Sequence, residues 1–205
     1  MTGAARSSYC PLMRENLDGL ALVVVDAQQG FDDPWWGPRN NDRCDENIAA
    51  LVREWARRGR ALVYVRHDSD EPGSPLHPGT PGNRLKAYLE PEPDLLVTKS
   101  VNSAFLGTPD LDAWLRERGL DGIVVCGITT NHCCETTARM GGNLGHRVLF
   151  ALDATHTFDR TGPDGGVVTA DELMRVTGVI LHGEFADVVS TAALLGPGWS
   201  VPETR

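Results

Sequence analysis

Apolar positions in this chain fall into short continuous runs separated by stretches with helical spacing. Leu20-Ala21-Leu22-Val23-Val24-Val25 is a β-branched run that stops at Asp26, the pattern of a strand covered on both faces. Over residues 41–58, Ile48, Leu51, Val52 and Trp55 recur at the spacing of one helix face, and Gly59 supplies the stop. The alternation then repeats, with strands expected at 61–65, 95–97, 122–126 and 147–152, the last ending at Asp153. Helices are expected after Thr108-Pro109-Asp110, where Leu111, Trp114 and Leu115 form an apolar face before Gly119, and over 133–144 before Gly145. Nearer the carboxyl terminus the pattern predicts a helix at 169–176, a last short strand at 179–181 and a terminal helix at 190–195.

Such βαβ alternation argues for a three-layer α/β/α sandwich: a doubly wound, mainly parallel sheet of about six strands that binds ligands at its carboxyl edge. With 205 residues and 41% hydrophobic composition, the chain reads as one domain over 1–205, its core at about 18–196 and its termini loose. The connection 66–93 is dense in Pro and Gly and longer than most in compact domains, so a binding lip is expected there.

Charge narrows the partners. A formal net charge of −9 with no cluster of Lys and Arg excludes nucleic acid, which needs many phosphates neutralised. No apolar stretch is long enough to span a bilayer, and residues 1–14 lack a leader pattern, so no membrane partner and a cytoplasmic setting are expected. The five cysteines are odd in number and irregularly spaced, which favours reduced thiols. The first strand leads into Asp26-Ala27-Gln28-Gln29-Gly30 and not into a GxGxxG turn, and no P-loop is present, so dinucleotide and phosphate-cradle readings fall away.

The candidate chemistry sits at strand ends. Cys133 follows the fourth strand in the run Val124-Val125-Cys126-Gly127-Ile128-Thr129-Thr130-Asn131-His132-Cys133-Cys134-Glu135, where a helix opens and its unpaired N–H groups favour a thiolate. Asp26 follows the first strand and Lys99 the third. Taken singly, a buried Cys is ordinary packing, an Asp is a cap and a Lys is solvated. Together at one rim, a carboxylate, an ammonium and a thiol make an activated nucleophile.

Three blocks extend that reading: Val24-Val25-Asp26-Ala27-Gln28-Gln29-Gly30-Phe31, Val97-Thr98-Lys99-Ser100-Val101-Asn102-Ser103-Ala104-Phe105, and Gly127-Ile128-Thr129-Thr130-Asn131-His132-Cys133-Cys134-Glu135-Thr136-Thr137-Ala138. In content and order they resemble the motif blocks of the isochorismatase-like cysteine hydrolases, which include nicotinamidases, N-carbamoylsarcosine amidases and streptothricin-hydrolase-like enzymes. The resemblance implies a catalytic Asp26, Lys99 and Cys133, and a cis peptide between Ile128 and Thr129. That peptide would aim the backbone N–H of Thr129, with that of Cys133, at an oxyanion. It implies amide-type C–N hydrolysis through a thioester, with no cofactor, and a homodimer or homotetramer with sites near subunit contacts. Cys134 stands where the family usually has an apolar residue and reads as packing.

One departure concerns metal. Nicotinamidases carry an Asp-x-His core after the second strand, whereas here the segment reads Arg66-His67-Asp68-Ser69-Asp70 and continues to His77. The expectation is therefore no metal, with His67, Asp68, Asp70 and His77 hydrogen bonded or solvated, and nicotinamide disfavoured as substrate. Phe31, Trp35, Trp36, Phe105 and His132 are the candidates for the wall of a substrate pocket. The rivals to the amidase reading are hydrolysis of an isochorismate-like vinyl ether, which needs no thiol, and a non-catalytic scaffold or carrier domain.

Overall fold

In the computed structural model, which describes residues 17–196, six strands form one parallel sheet in the order β3-β2-β1-β4-β5-β8. They are β1 (Leu20–Val25), β2 (Leu62–His67), β3 (Leu95–Lys99), β4 (Gly122–Ile128), β5 (Arg147–His156) and β8 (Asp187–Val189). A small antiparallel hairpin of β6 (Arg160–Thr161) and β7 (Val167–Val168) stands apart. Both termini expected to be loose, with Cys10 in the first of them, lie outside the described residues.

Alternation of side chains along each strand creates two cores, as the period of two demands. Ala21, Val23 and Val25 of β1 face α2 (Leu111–Glu117), α3 (Glu135–Asn143) and α4 (Ala170–Leu181) in a cluster with Val65, Leu115, Ile123 and Phe150. Leu20, Leu22 and Val24 point the other way, toward α1 (Cys44–Arg57) and α5 (Thr191–Leu195). Trp55 of α1 is wholly buried, and its indole N–H donates to Leu20 O at 3.2 Å, so its polar handle is not left unpaired. Among the described residues no helix is long and apolar enough to cross a membrane.

Two elements differ from the sequence expectation. Residues 179–181, expected as a strand, form the last turn of α4. Thr169 and Glu172 build a reciprocal capping box that starts this helix, and its face at Thr177, Gly178 and Leu181 is buried while Val179 is 67% exposed. The last strand is instead β8. Strands also run further at their carboxyl ends: β5 passes through Asp153, whose Oδ1 accepts from the N–H and hydroxyl of Thr191 and whose C=O accepts from Asn41 and Asn47. An aspartate so fully partnered is no strand stop.

Gly127 shows how closely the sheet is packed beneath the site. Its φ is +127°, and an added Cβ would lie 2.0 Å from Val25 O on β1. Gly127→Ala should therefore cost upwards of about 3 kcal/mol, seen as a lowered midpoint in chemical denaturation.

Candidate active site

Asp26, Lys99 and Cys133 meet at the carboxyl edge of the sheet. Asp26 takes a φ of +48° directly after β1, its N–H donating to Val65 O at 2.9 Å, which turns the carboxyl into the sheet edge. Lys99 is the last residue of β3 and lays its Nζ 2.6 Å from Asp26 Oδ2, with both side chains wholly buried. The same ammonium lies 3.4 Å from Cys133 Sγ. Asp26 Oδ1 is buried without a hydrogen-bond partner among the described residues, and a carboxylate oxygen of Asp26 lies within 4.8 Å of the sulfur.

Cys133 is carried on a π-helical turn, Thr130–Cys134, between β4 and α3. Strand β4 ends in a cis peptide between Ile128 and Thr129, and the Thr129 C=O accepts from the N–H groups of His132 at 3.3 Å and Cys134 at 3.2 Å. Thr130 Oγ1 donates to Thr155 Oγ1 on β5 at 2.8 Å, which fixes the turn to the sheet. Cys133 is 8% exposed, and its sulfur lies 3.6 Å from Asn102 Oδ1. Cys134 points into the core with no exposure.

Electrostatics corrects one expectation. The turn does not present a ready thiolate: burial and the Asp26 carboxylate push the Cys133 thiol above its usual pKa against the pull of Lys99. Burial also works against the Lys99 ammonium, but Asp26 and the sulfur outweigh it and hold the lysine above its usual value. The resting arrangement is a buried ion pair beside a neutral thiol.

His67, the last residue of β2, is a site member that sequence reasoning assigned elsewhere. Its Nδ1 lies 3.2 Å from Lys99 Nζ, giving the three N–H donors of the ammonium three acceptors: Asp26, Cys133 and His67. Burial and the neighbouring Lys99 lower the imidazole pKa, keeping it neutral and able to accept. Gln28 clamps the His67 backbone from both sides, donating to its C=O at 3.0 Å and accepting from its N–H at 2.8 Å, while Asn83 donates to the same C=O at 3.1 Å. The 66–93 connection thereby reaches the site.

Asp26, His67 and Cys133 form the one group of potential metal ligands found among the described residues, their ligand atoms within 4.8 Å of one another. They do not fit a metal ion, because the Lys99 ammonium already contacts all three and a second cation there would meet uncompensated repulsion. Asp68 is forked to Arg66 and bound by Asn83, Asp70 is exposed, and His77 Nδ1 lies against Pro78 O. These four do not gather into a site.

The candidate pocket residues separate into three places. Phe31 and Trp36 pack at 5.0 Å between ring centroids, and both meet Phe158, at 6.4 and 5.5 Å, in a cluster with Leu76 and Ile128. Trp35 is 66% exposed and meets Trp36 edge-on. Phe105 turns away from this aromatic group into the core, stacking on His146 under α3. His132 is half-buried on the Cys133 turn beside Arg160.

His156, at the end of β5, is buried against the edge of Phe158. Burial, then the charge of Arg39, lowers its pKa from 6.5 to about 3. The unfolded chain therefore takes up the proton first, so stability falls as pH drops below about 6.5 and keeps falling toward 3. The expected slope is at most about 1.4 kcal/mol per pH unit. His156→Gln should flatten it in denaturation curves collected across that window.

The family model for the isochorismatase domain matches residues 20–182. The chain belongs to the isochorismatase family. This isochorismatase-family protein is 37% identical over 176 residues to the family protein YrdC of Bacillus subtilis, covering 85% of this chain and 94% of that relative. It is 34% identical over 140 residues to a streptothricin hydrolase of Streptomyces noursei, covering 68% of this chain and 55% of that enzyme. A crystal structure from Chromobacterium violaceum assigned to the isochorismatase family superposes with a TM-score of 0.82 at 42% identity, covering 87% of this chain and 92% of that one. The six-strand α/β fold is thus the family's fold, and named relatives in it are hydrolases.

Proposed function

We propose that this protein is a cofactor-free cysteine hydrolase that cleaves an amide-type C–N bond of a small molecule. The observation that carries the reading is Asp26, with one oxygen tied to Lys99 at 2.6 Å, the other buried and unpartnered among the described residues, and the carboxylate within 4.8 Å of the Cys133 sulfur. A carboxylate held in that state lacks only a proton donor, and the thiol is one.

In this reading Asp26 takes the Cys133 proton as sulfur attacks the carbonyl carbon. The N–H groups of Thr129 and Cys133 receive the oxyanion. Asp26 then returns the proton to the leaving nitrogen as the C–N bond breaks, leaving a thioester on Cys133. Water, deprotonated by the same carboxylate, adds to the thioester carbon, and the departing sulfur regains a proton. Lys99 stays protonated throughout, its positive charge stabilising sulfur and carboxylate in turn, with His67 as its third acceptor. The raised thiol pKa suits this order, because the proton leaves when a substrate is in place and not before.

Support for C–N cleavage comes from the likeness to streptothricin hydrolase together with a complete Asp, Lys and Cys set. Screening small amides, including lactams, N-carbamoyl compounds and nicotinamide, for ammonia or amine release tests it. Release that disappears in Cys133→Ala is the expected result; hydrolysis of a vinyl ether that survives Cys133→Ala would overturn the reading.

A further inference from the structure

Arg160 stands at the lip of the Cys133 turn with unused binding capacity. It is half-buried on the β6–β7 hairpin, two residues beyond Phe158 of the aromatic cluster. One terminal nitrogen lies 3.3 Å from His132 Nδ1, and His132 directly precedes Cys133. No acidic side chain among the described residues pairs with Arg160. Its Nε is buried without a partner among them. The carboxylates nearby are committed elsewhere: Glu135 accepts from Arg139 at 2.7 Å and from Thr177 at 2.8 Å, and Asp159 accepts from the Ala170 N–H at 2.8 Å.

A partly desolvated guanidinium with an idle donor and no counter-ion is an unsatisfied arrangement that an anion would complete. His132 does not supply the charge; burial and then Arg160 itself lower its pKa, so the ring is neutral and its lone pair orients the guanidinium. One net positive charge matches one negative charge. The planar fork of an arginine suits the two oxygens of a carboxylate.

We infer that Arg160, oriented by His132, is a subsite for a carboxylate of the substrate, so that the amide cleaved at Cys133 belongs to a small carboxylic acid. This rests on the nucleophilic role proposed for Cys133.

Alkylation of Cys133 by matched acid and amide reagents tests it without knowledge of the substrate. Rates at that cysteine would be followed by peptide mapping for iodoacetate against iodoacetamide, and for 3-bromopropionate against 3-bromopropionamide. The amide serves as an internal reference, so any change in sulfur reactivity cancels in the ratio. Arg160→Gln is expected to lower the acid-to-amide ratio at least fivefold in one pair or both, and Arg160→Lys, which keeps the charge, to retain most of it. A ratio unchanged in both pairs would overturn the carboxylate subsite while leaving the nucleophile in place. Absence of acyl transfer from p-nitrophenyl acetate to Cys133 in the parent chain would remove the nucleophile reading, and this subsite with it.

Discussion

Cys133→Ala is expected to lower amide turnover by a factor on the order of 10⁴ or more while the protein stays folded. The loss follows from removing the atom that forms the thioester, which no neighbour replaces: Lys99 is protonated and Asp26 is its partner. The fold should tolerate the change, because a single sulfur is removed at the edge of a core that strands β1 to β5 and helices α2, α3 and α4 build together. A cost of about 1 kcal/mol is expected. Cys134→Val provides the contrast. That side chain is wholly buried in the same core and touches none of the chemistry, so turnover should remain near that of the parent. Initial rates with a thermal melt of each variant check both statements.

The second large effect concerns stability and activity together. Asp26 and Lys99 are both wholly buried, so Asp26→Asn leaves an ammonium, and Lys99→Met a carboxylate, without its counter-charge in the interior. Each single change should cost about 3–5 kcal/mol, and each should abolish turnover. The double variant Asp26→Asn/Lys99→Met removes both charges and should recover most of the lost stability, with no recovery of turnover. Urea denaturation of the four proteins gives the coupling, and a double variant as unstable as the sum of the singles would contradict the ion-pair account.

The strands were legible because the sheet is covered on both faces, so β1 and β4 appear as continuous apolar runs with reactive residues at their ends. What the pattern could not locate was the end of a strand whose polar residues are satisfied from elsewhere in the fold. Asp153 looked like a stop and is a partner of Thr191, Asn41 and Asn47. Placing the edge of β5 there left Phe158 and Arg160 out of the candidate site. Similarly, β2 runs on to His67, which brings that imidazole to the edge where Asp26 and Lys99 stand. The short run Val179-Ile180-Leu181 carries no periodicity that separates a strand from a helix end, and the distant cap at Thr169 decided it. The protonation of Cys133 was not legible either. A helix start favours a thiolate, but burial and the facing carboxylate, both products of the tertiary fold, weigh more.

Cys133, served by Asp26 and Lys99, is expected to form a covalent acyl intermediate. The most direct measurement is a short pulse of p-nitrophenyl acetate, quenched in acid and mapped by peptide mass spectrometry. The account predicts an acetyl group on Cys133 that is lost on longer incubation in the parent chain and fails to form in Asp26→Asn. Acetylation found only at other residues, or the same pattern in the parent chain and in Cys133→Ala, would contradict it.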